Sequence, residues 1–288
     1  MGARPIHQPC PPADVIVLHE GVTSRVLHPS AVPSLLAAVD TVGFARAAVF
    51  DADGTLWAGD IGDSAFVDSA RAGLVSDAMY TGPLAAWAAR SGLSLPDDKV
   101  AGIAAIVHAH EDGRLRALGH ARGLDEDGWR RDYYEMQAWV YADQPRSAVV
   151  DFGRRLMKQG LAEGIFASMV QLLGALEAAG IEVHLASASH AALVEAGADF
   201  LGVSPSRVAG MEPVPGLSTA MQVRTYGDDK RDTARARLGA PPLLAFGDSV
   251  LFTDRALLQS AAQPFAVATR GAHRDAALSD ARLILVDP

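Results

Sequence analysis

The sequence predicts an α/β protein built on a mostly parallel sheet flanked by helices, with an all-helical segment inserted into it. Three observations carry that expectation. Short, wholly apolar runs such as Ala47-Ala48-Val49-Phe50 and PLLAF have the character of strands buried on both faces. From residue 166 onward such runs alternate with helical patterns, as in a sheet covered by helices. Between the first strand and that alternation, residues 60–165 carry a helical pattern with no strand-rich segment among them.

Composition bounds the rest. The chain has 288 residues, 49% hydrophobic and 20% charged, which suits one large domain or two unequal ones and not a disordered chain. Its 25 Lys and Arg stand against 34 Asp and Glu, for a net charge of -9. That balance weighs against a nucleic-acid partner, since no surplus of cations neutralises phosphates, while a small anion can still meet a locally basic site. Cys10 is the one cysteine, so an intrachain disulfide and a cysteine metal cluster are both excluded and a reducing cytoplasm is the expected setting. The opening residues lack the apolar core of an export signal, and Pro5 and Ile6 sit where a myristoylation signal has flexible polar residues. No window is apolar over the length of a membrane span, so a soluble protein without a membrane partner is expected. Oligomeric state is not legible in a single chain.

In chain order, residues 1–29 are rich in Pro and His and read as an N-terminal arm, with Val15 to Leu18 as a short edge strand. Residues 30–59 open the core. There AVPSLLAAVDTVGF suggests a short helix leading into strand 47–50, which ends at Asp51, and DADGTLWAGDIGDSAF comes next, dense in Gly and Asp. Residues 60–165 hold SARAGLVSDAMY, LAAWAARSG, KVAGIAAIVHAHEDG and WRRDYYEMQAWVY, short helices separated by Pro, Gly and Asp, and form a second, smaller domain. Residues 166–288 complete the core. Val170, Leu173 and Leu176 recur at helical spacing before Gly180, Ile181 to Ala186 is a strand with Ser187 at its tip, and a helix from His190 ends near Gly197 or Gly202. After it, MEPVPGLSTAMQVRTYG has hairpin punctuation and RDTARARLG is a short helix. PLLAF is a strand ending at Gly247-Asp248, and PFAVA and LILV are late strands. In such sheets the reactive crevice lies at the C-terminal strand ends, where Asp51, Ser187 and Asp248 all fall.

Those strand ends set the available chemistry. Asp51 and Asp53 stand two apart, so their side chains point the same way if the backbone stays extended, while Gly54 allows a turn and Thr55 can cap the next element. An Asp after a strand ordinarily caps a helix or starts a turn. Two adjacent carboxylates, joined by Asp248 from the later GDSVLFTD, instead call for a cation, and Mg²⁺ accepts such hard oxygen ligands. Ser187 can donate a hydroxyl to a phosphoryl oxygen, although a Ser at a strand exit is also an ordinary cap. Lys230 is one of only three lysines beside 22 arginines; its alternatives are a surface role or an ammonium facing the acids. Metal, hydroxyl and ammonium together would neutralise a dianion, as phosphoryl transfer requires.

This ordered set resembles the haloacid dehalogenase superfamily of aspartate-nucleophile phosphatases. The motifs are FDADGTLW at Phe50 to Trp57, LASAS at Leu185 to Ser189, GDDK ending at Lys230, and FGDSVLFTD at Phe246 to Asp254, and the resemblance spans residues 45 to 288. It implies a Rossmann-like core with an inserted C1-type helical cap, residues 60–165. It also implies an Mg²⁺-dependent phosphomonoester hydrolase working through an aspartyl phosphate. Asp51 is then the nucleophile and Asp53 the general acid and later base. Thr55 and Ser187 hold the phosphoryl group, Lys230 screens charge, and Asp51, Asp53 and Asp248 make the metal site, with the Asp53 backbone carbonyl as a ligand. The family's second acid in the last motif often stands three or four residues after the first. Asp254 stands six after Asp248, as though displaced by a short insertion, which leaves open whether it reaches the metal or Ser249 supplies part of that shell.

The substrate implied is a small phosphorylated metabolite. SASHAALVEAGADFLGV resembles the phosphoserine-phosphatase branch, in which an acid at the position of Asp60 contacts the substrate ammonium; phosphoserine or another amino-bearing ester ranks first, ahead of phosphocholine-like esters and sugar phosphates. Gly54 and Ser249 are further substrate-contact candidates, and Gly54, Gly59 and Gly62 are hinge or tight-turn positions. In the cap, Trp129, Tyr133, Tyr134, Trp139 and Tyr141 either hold an amine by cation–π contact or pack the helices. Arg130 and Arg131 either recognise a carboxylate or phosphate or remain solvated. Other readings of the same residues are a phosphotransferase or mutase, a metal-free dehalogenase, disfavoured by Asp53 and Asp248, and a noncatalytic binding module that keeps the fold.

Overall fold

The computed structural model describes residues 27–288 and, before them, the backbone of two short strands, β1 (Val17–His19) and β2 (Val22–Ser24), which pair antiparallel. Of the edge strand expected at Val15 to Leu18, the first two residues lie outside the described residues, as does most of the arm. A 3₁₀ turn at Pro29–Ala31 leads into α1 (Val32–Ala38) and then β3 (Ala45–Phe50). The helical segment comprises α2 (Ile61–Arg71), α3 (Asp77–Met79), a π turn at Tyr80–Leu84, α4 (Ala85–Arg90), α5 (Lys99–Glu111), α6 (Arg114–Ala121), α7 (Glu126–Trp139) and α8 (Arg146–Lys158). Next come α9 (Ala167–Ala178), β4 (Glu182–His190), α10 (Ala191–Leu201), β5 (Val208–Pro213), β6 (Met221–Val223) and α11 (Asp228–Leu238). The chain closes with β7 (Pro242–Gly247), α12 (Arg255–Ser260), β8 (Gln263–Val267), α13 (Gly271–Ser279) and β9 (Ile284–Val286). No helix among the described residues is long and apolar enough to cross a membrane.

Seven strands form one sheet in the order β6-β5-β4-β3-β7-β8-β9, parallel throughout except for the β5–β6 hairpin. The chain leaves β3 to build one half of the sheet and returns to its other side at β7. The C-terminal end of β3 is therefore the topological switch point, where open α/β sheets place their crevice. Residues Ala47 to Phe50 are all within 2% of full burial, as a continuous apolar strand between two helical layers requires. Register puts Phe50, Phe246 and Phe265 side by side on three neighbouring strands, with ring centroids 4.1 and 4.4 Å apart and planes nearly parallel. This stack sits directly under the strand ends, so Asp51 and the Gly247-Asp248 turn start from a packed floor.

Local sequence accounts for the helix starts. Asp60, Ser76, Asp98 and Asp125 each cap a helix by accepting a backbone N–H two or three residues into it. Two local expectations are corrected. β4 runs on through Ser187 to His190 instead of ending at Ala186, its pairing with β5 shifting register between Ala186 and His190. Gly62 is neither hinge nor turn but lies within α2, where the missing side chain makes room for Ser189 and Gln137. The helix α8 packs along the core helix α10, tied to it by Arg146–Glu195 and Arg154–Asp199 ion pairs. Its Gly153 faces Ala196 so closely that an added Cβ would come within 2.7 Å.

Candidate active site

Asp51 follows β3 immediately, and its N–H still donates to the Phe246 carbonyl at 2.8 Å, so the sheet itself aims the side chain. Lys230 arrives from the first turn of α11. Two bonds place that turn: the Thr225 hydroxyl donates to the Ser187 carbonyl, and Gly227 N–H donates to the Thr253 carbonyl. The Lys230 ammonium is fully buried and bonds to Asp51 Oδ1 at 2.6 Å and Asp254 Oδ1 at 2.5 Å. The alternative of a surface lysine is thereby excluded. Burial opposes its charge, but Asp254 and then Asp51 outweigh that and raise its pKa above the ordinary lysine value.

The insertion before Asp254 does not carry it away. The turn at residues 249–253 doubles back, with Asp254 N–H donating to the Ser249 carbonyl and Ser249 N–H to Asp254 Oδ2 at 3.0 Å. Gly247 permits the approach, since a Cβ there would stand 2.6 Å from Asp254 Oδ2. Asp51, Asp248 and Asp254 consequently bring carboxylate oxygens within 4.8 Å of one another. With Lys230 as the one ammonium bonded to this group, three ionised carboxylates would leave two negative charges. A divalent cation with oxygen preference fits that donor set and that charge. Despite its spacing, Asp254 thus joins the carboxylate group, with Ser249 holding it through the backbone.

Asp53, expected among the metal ligands, does not bring its carboxylate into this trio. Its Oδ1 accepts from Trp57 Nε1 at 2.8 Å and Ile61 N at 2.7 Å, and its Oδ2 from Ser187 Oγ at 3.1 Å and Ser189 Oγ at 2.8 Å. Only its backbone carbonyl is left for the metal role. Thr55 is wholly buried and its hydroxyl donates to Asp51 Oδ2 at 3.3 Å, so it steadies that carboxylate and does not line the cavity. Gly54 has φ +74°, and a Cβ on it would stand 2.5 Å from Asp248 Oδ2. Gly54→Ala is expected to lose about 1–2 kcal/mol of stability from the left-handed backbone alone, with the clash added. Urea unfolding checks this, and a variant as stable as wild type would show the Asp248 contact to be unimportant.

A cavity of about 590 Å³ opens over these groups, lined by Asp51, Asp53, Asp60 and Asp248 among others. Gly54, Ser187, Ser189 and Ser249 also line it. Asp60 caps α2 by accepting from Asp63 N at 2.9 Å, so its turn role and its place in the cavity coexist. Of the five cap aromatics, Tyr134 reaches the cavity, whereas Trp129, Tyr133, Trp139 and Tyr141 are buried among the helices. Tyr133 and Gln137 bond to Asp63. Arg130 lines the cavity, and Arg131 lies over the Tyr226 ring instead. Sequence reasoning missed Trp57 and Ser189 as partners of Asp53, although Ser189 closes the LASAS motif. It also missed Thr269, Arg270 and His273, which line the cavity after β8. The strand-end rule applied to PFAVA would have found Thr269 and Arg270.

Burial raises the Asp51, Asp53, Asp60 and Asp248 pKa values above the ordinary carboxylate range. For Asp51 and Asp248 the next cause is the charge of Asp254, and Asp248 is pushed up to about 7. For Asp53 the four hydrogen bonds oppose the rise. Without a metal, the folded protein keeps protons that the unfolded chain releases near 3.8, so these groups cost stability as pH rises toward 7. Asp248→Asn is therefore expected to gain in melting temperature relative to wild type between pH 5 and pH 8 in EDTA. A gap that stays constant or narrows would contradict this. A divalent cation held by these carboxylates would stabilise wild type more at pH 8 than at pH 5, because it would compete with those protons.

The family model described as haloacid dehalogenase-like hydrolase matches residues 45–251. No curated protein sequence matches the chain. Among solved structures, a protein with unknown function from Bordetella pertussis Tohama I is 17% identical, with TM-score 0.59 over 85% of this chain and 99% of its own. A conserved, functionally unknown protein from Anaerococcus prevotii DSM 20548 is 14% identical, with TM-score 0.52 over 84% of this chain and 85% of its own. Both likenesses concern the fold alone. A phosphoserine phosphatase in the form of a phospho-aspartyl intermediate analogue is 13% identical, covering 85% of this chain and 93% of its own; its TM-score of 0.42 carries no argument.

Proposed function

The chain belongs to the haloacid dehalogenase-like hydrolases, and from that premise we propose that it is an Mg²⁺-dependent phosphatase acting on a small phosphomonoester through an aspartyl phosphate on Asp51. One observation carries the reading: Lys230, buried, bonds at once to Asp51 and Asp254 while Asp248 closes the carboxylate group around them. A buried cluster with surplus negative charge is costly to keep unless it meets a cation. Held by Asp51, Asp248 and Asp254, Mg²⁺ would supply positive charge against which the phosphate oxygens are drawn in.

The protein's own groups divide the remaining work. Lys230 ties down Asp51 Oδ1 at 2.6 Å, and Thr55 makes a longer 3.3 Å bond to Oδ2, so Oδ2 is the freer atom to attack phosphorus. As the bond to the leaving oxygen breaks, Asp53 delivers a proton to it. That proton resides on Oδ2 of Asp53, because the Ser187 and Ser189 hydroxyls bonded there can turn from donating to accepting. The Trp57 and Ile61 N–H groups on Oδ1 cannot. Now ionised, Asp53 then takes a proton from water as it attacks the aspartyl phosphate, which releases inorganic phosphate and restores Asp51. Asp60 faces the cavity with its carboxyl pKa well raised by burial and by the charges of Asp53 and Asp63, an environment that an ammonium on the substrate would relieve. This supports an amino-bearing ester.

The test is phosphate release from a panel of small esters with Mg²⁺ and with EDTA. Release that needs Mg²⁺ is expected. Folded protein that releases none from any ester would end the phosphatase reading, and alkyl phosphates formed with added alcohols would point to a phosphotransferase.

A further inference from the structure

The cavity extends from the carboxylates to the segment joining β8 to α13, and α7 closes against the same place. Two side chains, Arg130 and His273, converge there on Phe252. The Arg130 guanidinium lies 4.5 Å from the Phe252 ring centroid and 4.7 Å from that of Trp129, and the His273 ring is 5.4 Å from Phe252. Beside them Thr269 is 5% exposed and Arg270 stands at the exposed rim. Three polar atoms of this group are buried without a hydrogen-bond partner: Arg130 Nε, Thr269 Oγ1 and His273 Nδ1. Unpaired buried donors are rare because each forfeits its bond to water. All three residues line the cavity, so a ligand that draws these side chains toward it would complete the bonding.

From this arrangement we propose that the substrate carries a second anionic group, a carboxylate or a second phosphate, received by Arg130, Thr269, Arg270 and His273. This rests on the phosphomonoester reading of the same cavity. Arg130 Nε can only donate, and Thr269 Oγ1 and His273 Nδ1 can each donate, so their common partner is an acceptor with several lone pairs. An apolar group would leave all three unpaired, and a cationic one would leave Arg130 Nε without an acceptor. Glu126 accepts from Arg130 Nη2 at 2.8 Å, which orients the guanidinium and leaves its Nε edge free. The residue before Thr269, Ala268, has φ 49°, a left-handed conformation unusual for a side chain other than glycine, and such strain collects where a loop is held for binding. Thr269, Arg270 and His273 lie beyond the residues matched by the family model. Asp60 and this subsite would thus read an ammonium and an anion separately.

The test compares ethyl phosphate with phosphoglycolate and with ethylene glycol bisphosphate, which add a carboxylate or a second phosphate to a leaving group of similar size. The expected result is a kcat/KM about tenfold or more higher for an anionic ester than for ethyl phosphate. That preference should fall toward one in Arg130→Gln and in Thr269→Val. Whichever anionic ester leads identifies the group as carboxylate or phosphate. Equal kcat/KM for all three esters, or variant losses equal across them, would overturn the proposal. Thr269→Val carries a second signature: it deletes an unpaired buried hydroxyl at constant volume, so its melting temperature should not fall. A lowered melting temperature with the preference intact would assign Thr269 to structure and count against the subsite. If no ester is hydrolysed, the phosphatase reading alone fails. Calorimetric titration with phosphoglycolate and ethyl phosphate then decides: tighter binding of phosphoglycolate, weakened in Arg130→Gln, retains the subsite, and equal binding removes it.

Discussion

Asp51→Asn is expected to abolish the phosphoenzyme and to lower phosphate release by about 10³-fold or more. The amide keeps the size of the carboxyl group, and its one oxygen can still accept from Lys230 at the Oδ1 position, while the NH2 in place of Oδ2 donates and the Thr55 hydroxyl turns to accept. What it loses is the charge and the nucleophilic oxygen, and no neighbouring group can replace them, since Asp53 is held by four donors and Asp254 by Lys230 and Ser249. Stability should move the other way. Asp51 sits buried with its pKa raised by burial and by Asp254, so neutralising it removes repulsion from the metal-free site. Loss of turnover with an unchanged or higher melting temperature in EDTA would therefore separate chemistry from folding. The measurement is trapping of the acyl phosphate after rapid quenching, read by mass. A normal yield of phosphoenzyme from this variant would sink the assignment of Asp51.

Lys230→Met is expected to cost about 3–5 kcal/mol at pH 8, because it leaves Asp51 and Asp254 buried without their cation. The loss should shrink toward pH 5. Without the ammonium, Asp51, whose carboxyl pKa burial already raises and Lys230 holds down, binds a proton more readily, and once protonated it needs no counter-charge. Urea unfolding at the two pH values measures this, and a variant as stable as wild type at pH 8 would show that the ion pair contributes nothing. Replacing both partners, Lys230→Met with Asp254→Leu, is expected to recover part of the stability and none of the activity. Apolar packing can substitute for a buried ion pair in folding, but it cannot draw in a phosphate.

Much of the scaffold was legible because its signals are local. The apolar run before Asp51, the repeating Val170, Leu173 and Leu176, and Gly202 after α10 each report on a few neighbouring residues whose spacing matches strand or helix. The strand-end positions of Asp51 and Asp248 came from the same patterns. The extension of β4 past Ser187 was not legible, since SASH lacks a strand pattern and is held by neighbours in the sheet.

What the sequence determined by itself is the order of strands and helices and which acids follow β3 and β7. Tertiary structure alone decided how they group: Asp254 with Asp51 and Asp248, the Asp53 side chain with Trp57, Ile61, Ser187 and Ser189, and Arg130 with the loop after β8. Long-range bonds of the site join residues 179 positions apart for Lys230 and Asp51 and 134 apart for Ser187 and Asp53. Periodicity describes each element's own faces, whereas such contacts depend on where turns like 249–253 deliver the next residue. A turn that doubles back through backbone hydrogen bonds leaves no repeating trace in the sequence.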